Sequence, residues 1–241
     1  VVTNPPYMGS SGMGAKLAEF VKKQYPDSKS DLFAVFMEKV REYAKQGGKI
    51  GLVTMNSWMF LTSFETLRKC IIEQDSIETI NHLGMEAFEG IIGKVVQTVA
   101  FTFLNRIRIE NYKGNAVRLT DFYDSQRWLK EKEFFNEKNH YIYKQDNFEK
   151  IPGAPVAYNF SEKVFQAFEK FPALCNKVVT RLGMTTADND RFVREWFEVS
   201  SEKCIMNAKS KEEVIQNNKK WVSYNKGGKY RKWYAYNWFT C

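Results

Sequence analysis

Metal-ligating side chains are scarce in this chain. Its 241 residues include only two histidines, His82 and His140, and four cysteines, none of which form a CxxC pair. A structural zinc site needs four such ligands at close spacing, so the sequence predicts no metal site. Isolated thiols are typical of a reducing compartment, and we therefore expect a cytoplasmic protein.

Long apolar runs are also missing. The longest candidate, Val95 to Leu104, is interrupted by polar residues at positions 97 and 98, whereas a membrane-spanning helix needs about 20 apolar residues. We therefore expect no membrane partner. Glycine and proline are few, at 14 and 6 residues, and 44% of the residues are hydrophobic, which indicates a globular protein with a buried core rather than a disordered chain.

Charge is distributed unevenly along the chain. Residues 1–180 carry 24 Lys and Arg against 21 Asp and Glu, whereas residues 181–241 carry 12 against 7. Within the basic part, residues 219–241 contain six basic residues, eight aromatic residues and no acidic residue. Because cations neutralise phosphates and aromatic rings stack on bases, this composition favours a nucleic-acid surface.

Hydrophobic periodicity and turn signals predict alternating strands and helices in the first half. In chain order we expect a strand at 1–3, a helix over 31–46, a strand at 49–55 and a helix from a Thr62/Glu65 capping box to about residue 74. Strands at 77–83 and 94–105 follow, and then a hairpin of 106–112 and 116–120 around Lys113-Gly114-Asn115. Two further helices are expected over 121–133 and 161–171. This order predicts an open α/β sheet with an antiparallel pair at its end. The carboxyl ends of its first three strands should meet at one edge, where ligands bind in such sheets.

The motif Asn4-Pro5-Pro6-Tyr7 follows the first strand and has a specific chemical use. The exocyclic amine of adenine is a poor nucleophile because its lone pair is delocalised into the ring. The Asn4 side-chain oxygen and the Pro5 carbonyl can accept both amine hydrogens, and the two prolines hold that carbonyl rigidly. Tyr7 offers an aromatic face for an extruded base. A proline turn that merely ends a strand is the alternative for these four residues alone.

The surroundings of this motif resemble the γ-type N6-adenine DNA methyltransferases. The similar segments are Asn4-Pro5-Pro6-Tyr7, 31–36, 46–53, 56–59, 83–88 and 95–103, in the order of the family's motifs IV to VIII. The resemblance implies the C-terminal part of a Rossmann-like class I methyltransferase sheet with an antiparallel terminal strand. It also implies methyl transfer from S-adenosylmethionine to adenine N6, with Asn4, Pro5, Pro6 and Tyr7 as catalytic residues. Phe88 would stack on the other face of the adenine; packing of this ring on the core is the alternative.

The second half resembles the BREX phage-defence methyltransferases of the PglX family. The similar segments are 182–192, 196–199 and 219–234, a region that opens the target-recognition domain in that family. We therefore predict the catalytic-side half of a methyltransferase domain at 1–160 and the start of an α+β recognition domain at 161–241. The implied partners are double-stranded DNA with a flipped adenine and other defence-system subunits.

Five basic residues are the predicted DNA contacts of this second region: Arg191, Lys226, Lys229, Arg231 and Lys232. For the last four, a solvated surface is the alternative. For Arg191, an Asx turn at Asp188 and Asn189 with the arginine on the surface fits the sequence equally well.

The cofactor-binding loop of the resembled family lies before the Asn-Pro-Pro-Tyr motif, and this chain opens in that motif. The glycine-rich stretch 9–14 comes after it, and with no clear helix expected to follow we do not interpret it as that loop. We therefore expect a piece of a longer enzyme, inactive alone.

Two other functions stay open. One is methylation of an RNA adenine or a protein glutamine amide by the same fold. The other is a methyltransferase-fold module that reads DNA without catalysis. His82, His140 and Trp58 are expected to be structural residues.

Overall fold

The computed structural model describes residues 1–88, 96–179, 185–226 and 239–241. The chain divides into two units, Val1–Asn176 and Lys177–Cys241. Residues 161–176, which the sequence placed with the second domain, therefore group with the first unit. The sequence predicts a domain boundary between about residues 150 and 180, and this division lies within that range.

The described part of the first unit contains alternating helices and strands, as predicted. Its helices are α1 Ala15–Gln24, α2 Leu32–Tyr43, α3 Glu65–Gln74, α4 Lys130–Glu133 and α5 Glu162–Lys170. Its strands are β1 Val2–Thr3, β2 Lys49–Met55, β3 Ser76–Met85, β4 Gln97–Leu104, β5 Lys113–Arg118 and β6 His140–Lys144.

These strands form one mixed sheet in the order β1-β2-β4-β3-β5-β6. Strand β1 is parallel to β2, and β3 is parallel to β5, whereas β4 is antiparallel to both β2 and β3. Strands β1, β2, β3 and β5 therefore run in one direction. The α/β sheet is confirmed, but β4 lies between β2 and β3 instead of at the end, and the antiparallel edge strand is β6.

The predicted hairpin around Lys113-Gly114-Asn115 is wrong. Residues 113–118 form a single strand, and residues 106–112 form none. Glycine is needed at position 114 for packing and not for a turn, because a Cβ atom there would lie 2.3 Å from the hydroxyl oxygen of Tyr143. A glycine that makes room for a ring on the next strand carries the same sequence signal as a turn glycine.

The predicted capping box at Thr62 and Glu65 is also absent. Residues Thr62–Phe64 form a 3-10 turn, and Glu65 is the first residue of α3, with no side-chain cap at Phe64. The Glu65 carboxylate instead pairs with Lys69, 2.7 Å away on the next turn of the helix. By contrast, α2 begins with a side-chain cap, since the Asp31 carboxylate accepts a hydrogen bond from the Phe33 amide.

A buried arginine joins α3 to two loops of the first unit. Arg68 is only 1% exposed. Its Nη1 donates to the carbonyl oxygens of Trp58 at 2.8 Å and Leu61 at 2.9 Å. Its Nε and Nη2 donate to the carbonyl oxygens of Gly153 and Ala154. One side chain thus fixes both the turn after β2 and the segment around residue 153 on the core.

The second unit is built from short elements. Its described strands are β7 Arg194–Glu195, β8 Cys204–Ile205, β9 Trp221–Tyr224 and β10 Phe239–Thr240, and its described helices are α6 Asn189–Phe192 and α7 Lys211–Asn217. The strands form a sheet in the order β7-β10-β9-β8.

Candidate active site

The carboxyl ends of β1, β2 and β3 lie at the same edge of the sheet, because the three strands run in the same direction. Asn4, Asn56 and Glu86 are the first residues after these strands. The predicted convergence of the three strand ends at one edge is therefore confirmed, and this edge carries the candidate site.

The Asn4-Pro5-Pro6-Tyr7 motif is anchored on both sides. Pro5 is buried, Asn4 is exposed, and Tyr7 is half-buried against the core. The Tyr7 ring meets Phe33 of α2 edge-on, with 6.2 Å between ring centroids. Just beyond the motif, the Met8 amide donates to the Asp31 carboxylate at 3.0 Å. The N-terminus of α2 thereby holds the motif against the sheet.

The hydroxyl of Tyr7 is the buried side-chain polar group of the motif. Its oxygen is buried and has no hydrogen-bond partner among the described residues. Burial raises the pKa of Tyr7, so the hydroxyl stays protonated near neutral pH. Tyr7 therefore presents a neutral ring to the edge of the sheet.

Two residues in the left-handed backbone region lie where β3 ends and the segment that carries Phe88 begins. Gly84 has φ +71° and Glu86 has φ +56°. A Cβ atom at position 84 would lie 2.8 Å from the Thr120 Cα atom. The Glu86 carboxylate accepts from the Asp124 amide at 2.7 Å, and the Lys130 ammonium donates to the Met85 carbonyl.

Two contacts from the 124–130 segment thus fix the start of this loop. Phe88 follows on a bend, half-buried, at the edge predicted for it.

A hydrogen-bonded chain of side chains runs along the same edge, and no pattern in the sequence predicts it. The Asn56 side-chain amide donates to Gln97 at 3.0 Å and contacts Nε2 of His82 at 2.8 Å. Nδ1 of His82 contacts the Tyr158 hydroxyl at 2.8 Å. Asn56 and His82 could have been noticed as polar residues near strand ends, but no local signal connects them to Tyr158.

His82 is uncharged at neutral pH. Burial, with a smaller contribution from the positive charge of Arg118, lowers the pKa of His82 to about 4. The ring is therefore a fixed hydrogen-bond relay, in agreement with the structural role expected for it. Trp58 is fully buried and lies 4.7 Å from Phe101 between ring centroids, which confirms it as a packing residue.

The glycine-rich stretch 9–14 does not have the geometry of a cofactor loop. Contrary to expectation, it does lead into a helix, α1, which begins at Ala15. However, the Ser10 amide donates to the Ser30 carbonyl, and the Gly12 and Met13 amides donate within the stretch. These three amides are already paired and cannot contact an anionic group, which disfavours the stretch as a binding loop for S-adenosylmethionine.

Of the five predicted DNA contacts, two lie in described parts of the chain. Arg191 is exposed, with its guanidinium 5.0 Å from the Phe192 ring centroid. The Asp188 carboxylate accepts from the Arg191 amide at 3.0 Å and so caps the N-terminus of α6, which differs from the Asx turn considered as the alternative. The Lys226 ammonium lies 5.2 Å from the Phe239 ring centroid. Lys229, Arg231 and Lys232 lie outside the described residues.

The described residues lack two other kinds of functional element. They contain no group of three or more histidine, cysteine, aspartate or glutamate side chains able to hold a metal ion. Within the same ranges, no helix combines the length and the apolar character needed to cross a bilayer.

Comparison with known proteins gives three findings. The sequence profile of the Eco57I restriction-modification methylases matches residues 1–88. The adenine-specific methyltransferase PglX of Lacticaseibacillus casei (strain Zhang) is 45% identical over 99% of this chain and 20% of its own length. The adenine-specific methyltransferase BrxX of Escherichia coli O9:H4 (strain HS) is 41% identical over 98% of this chain and 19% of its own length.

The predicted resemblance to the PglX family is therefore confirmed along nearly the whole chain. The chain spans about a fifth of the length of these curated relatives. Among solved structures, a chain of a type I restriction–modification system aligns with a TM-score of 0.48, at 14% identity, over 73% of this chain and 40% of its own.

Proposed function

We infer, from its similarity to the adenine-specific methyltransferases PglX and BrxX over almost its whole length, that this chain is the base-binding part of a DNA adenine-N6 methyltransferase of a phage-defence system. The observation that carries this proposal is the position of Asn4-Pro5-Pro6-Tyr7. The motif follows β1 at the carboxyl edge of the sheet and is fixed there by Phe33 and Asp31.

The proposed mechanism requires two acceptors for one amine. The Asn4 side-chain oxygen and the Pro5 carbonyl accept the two N6 hydrogens of an extruded adenine. This draws the lone pair of N6 out of the ring and towards the incoming methyl group. Because Pro5 is buried and cannot move, its carbonyl is oriented before the substrate arrives, which is where such acceptors are most effective.

Tyr7 and Phe88 are proposed to stack on the two faces of the adenine. Both are half-buried, so each keeps part of its ring accessible. Stacking of this kind is worth about 1–3 kcal/mol per base. S-adenosylmethionine is the methyl donor that the resemblance implies. The proposal places its binding site outside this chain, because residues 9–14 do not fit it.

The second unit is proposed to begin the domain that reads the DNA sequence. Its basic composition supports this, with Arg191, Lys226, Lys229, Arg231 and Lys232 as phosphate contacts. Double-stranded DNA is thus the proposed partner, together with other subunits of the defence system.

Replacement of Asn4 tests the central claim. Asn4→Ala in the full-length protein that carries this sequence should lower the rate of N6-adenine methylation by about 10²–10³, since one preorganised acceptor is lost. Sequencing of N6-methyladenine in a host expressing each variant measures the effect. Asn115→Ala is the matched control, because Asn115 is an exposed asparagine of β5. Near wild-type methylation by the Asn4 variant would refute the proposal.

A further inference from the structure

A cavity of about 200 Å³ lies near the carboxyl ends of β3 and β5, next to the hydrogen-bonded chain of Asn56, His82 and Tyr158. Its walls include Phe60, His82, Arg118, Tyr158 and Phe160. Phe60 is 52% exposed and Phe160 is 46% exposed, so both rings form part of its open rim. Pockets for drug-sized ligands are usually about 300–1,000 Å³, and this smaller cavity fits one flat ring system.

The hydrogen-bonded chain determines which way the Tyr158 proton points. The Asn56 amide nitrogen has two hydrogens, one for Gln97 and one for Nε2 of His82. Nε2 must therefore accept, and in a neutral imidazole the proton is then on Nδ1. Nδ1 donates to the Tyr158 oxygen. The Tyr158 hydroxyl consequently accepts from the histidine, and its own hydrogen is left to donate elsewhere.

Charge in the surroundings keeps this arrangement in place. The Arg118 guanidinium is fixed by two hydrogen bonds to the Asp121 carboxylate, at 2.6 and 3.0 Å. Its positive charge opposes protonation of His82 and so favours the neutral ring, in which Nε2 accepts and Nδ1 donates. Burial raises the pKa of Tyr158, so the phenol keeps its proton over the whole physiological range.

We propose that this cavity binds a nucleobase that carries a carbonyl oxygen, with the Tyr158 hydroxyl donating to that oxygen and the Phe60 and Phe160 rings contacting the base at the rim. The proposal rests on the proposed function, because it takes the base from a DNA strand. It adds a second base site to the one at Asn4. The two sites differ in chemistry, since Asn4 and Pro5 offer acceptors to an amine whereas Tyr158 offers a donor to a carbonyl.

The tautomer of His82 is the first test, and it needs no variant. Nitrogen-15 NMR of the histidine-labelled chain separates a protonated Nδ1 from a protonated Nε2. We expect the proton on Nδ1 of His82 at pH 7. A proton on Nε2 would mean that Tyr158 donates to His82, and the proposal would be overturned.

Ligand titration is the second test. Thymidine should shift the His82 and Tyr158 signals of the chain, and its 2,4-difluorotoluene isostere, which has the same shape without carbonyl oxygens, should bind roughly 2- to 10-fold more weakly. In Tyr158→Phe the two ligands should bind equally, because the donor is gone. Tyr43→Phe, an exposed tyrosine on α2, is the control and should keep the wild-type preference.

Three results would overturn the proposal: no shift at His82 and Tyr158 with millimolar thymidine, equal affinity of the wild-type chain for both ligands, or an unchanged preference in Tyr158→Phe. Far-ultraviolet circular dichroism of each variant verifies that it is folded.

An oligothymidylate distinguishes the source of the base. It should shift the same signals and bind more tightly as salt is lowered. If only the free nucleoside bound, the DNA origin of the base would be refuted. None of these titrations contains a methyl donor or a target adenine, so their failure is separate from failure of the Asn4 experiment.

Discussion

The two units of this chain differ sharply in how much they bury. The first unit encloses large side chains from α2, the sheet and the turn after β2, including Phe33, Phe101 and Trp58. In the described part of the second unit, Val193 is the one apolar side chain classed as buried, while Trp196 and Phe197 are 57% and 64% exposed. Since full burial of such a side chain contributes about 1.5–3 kcal/mol, internal packing stabilises the described second unit far less.

This difference separates two ways of holding functional residues. In the first unit, the candidate catalytic motif is fixed by a packed core and by paired backbone groups. In the second, the described candidate DNA contacts Arg191 and Lys226 lie beside aromatic rings on short elements. The close packing is thus found in the unit where the proposed reaction needs an oriented acceptor. Substitutions in the first unit should therefore mainly lower stability, whereas substitutions in the second should mainly weaken DNA binding.

The largest effect on stability is expected for Arg68→Met. This change keeps an unbranched side chain but removes the donors to four buried or partly buried carbonyl oxygens. Carbonyls left without partners should lower the free energy of unfolding by about 3–5 kcal/mol. Urea denaturation followed by circular dichroism measures this.

Lys69→Met is the control for that experiment. Lys69 is the next residue of α3, and its pair with Glu65 lies on the surface, where such pairs contribute little. Equal stability of the two variants would show that the Arg68 contacts do not hold the first unit together.

A pH effect of about 3 kcal/mol is expected from His82. Its pKa falls from 6.5 in the unfolded chain to about 4 in the folded one, so the unfolded state binds the proton more readily. Stability from this group is therefore complete above pH 6.5 and is lost as the pH falls towards 4. Urea midpoints at pH 7 and pH 4.5, compared between the wild type and His82→Gln, isolate the effect.

Asn115→Gln is the comparison for the pH series, because it changes an exposed side chain of β5 that carries no titratable group. It should retain the wild-type dependence on pH. If His82→Gln lost as much stability between pH 7 and pH 4.5 as the wild type, the loss would come from other groups.

Gly114→Ala should cost about 1–3 kcal/mol, which is the usual range for overpacking. The added methyl group would meet the Tyr143 ring at 2.3 Å, and that ring is buried. Gly14→Ala is the matched control, since nothing lies within 4 Å of a Cβ atom there. Thermal unfolding compares the two. A neutral Gly114→Ala would show that Tyr143 is free to move, against the close packing of β5 on β6.

The smallest effect on stability is expected in the second unit. Neutralising Lys226, Lys229, Arg231 and Lys232 together in the full-length protein should leave folding nearly unchanged, because ion pairs of Lys and Arg head groups in water generally contribute little to stability. It should weaken binding to every DNA sequence and flatten the slope of log K against log salt by at most about four contacts, at ~0.9 each. An unaltered salt slope would place the DNA surface elsewhere and leave this face as solvated surface.

Local signals predicted much of the fold. The bounds of β2 follow from a run of apolar residues after Gly47 and Gly48, and they match the structure. Other elements could not be predicted from local signals, as Gly114 and Tyr143 show. Glycine is needed at position 114 because the Tyr143 ring packs there, and Tyr143 lies on the next strand, 29 positions away in the chain. The insertion of β4 between β2 and β3 is likewise a matter of pairing, which periodicity within one strand does not encode.

The candidate site divides in the same way. The Asn4 motif is contiguous in the sequence, so its chemistry could be inferred from four residues. The chain from Asn56 through His82 to Tyr158 joins residues from distant segments, and its polar atoms become partners only after the sheet is assembled. A contiguous motif such as Asn4-Pro5-Pro6-Tyr7 can thus be recognised in the sequence. A hydrogen-bonded chain between distant residues is recognised only in the folded structure.

The position of β4 has a consequence for how the protein is made. Strands β2 and β3 are both synthesised before residues 97–104, the strand that joins them. At ~5–20 residues per second, the synthesis of β2 precedes that of its partner by roughly 2–10 s. A chain that lacks β4 leaves the facing edges of β2 and β3 unpaired, and such edges attract other chains. Released chains that end before residue 97 should therefore aggregate far more than chains that include β4.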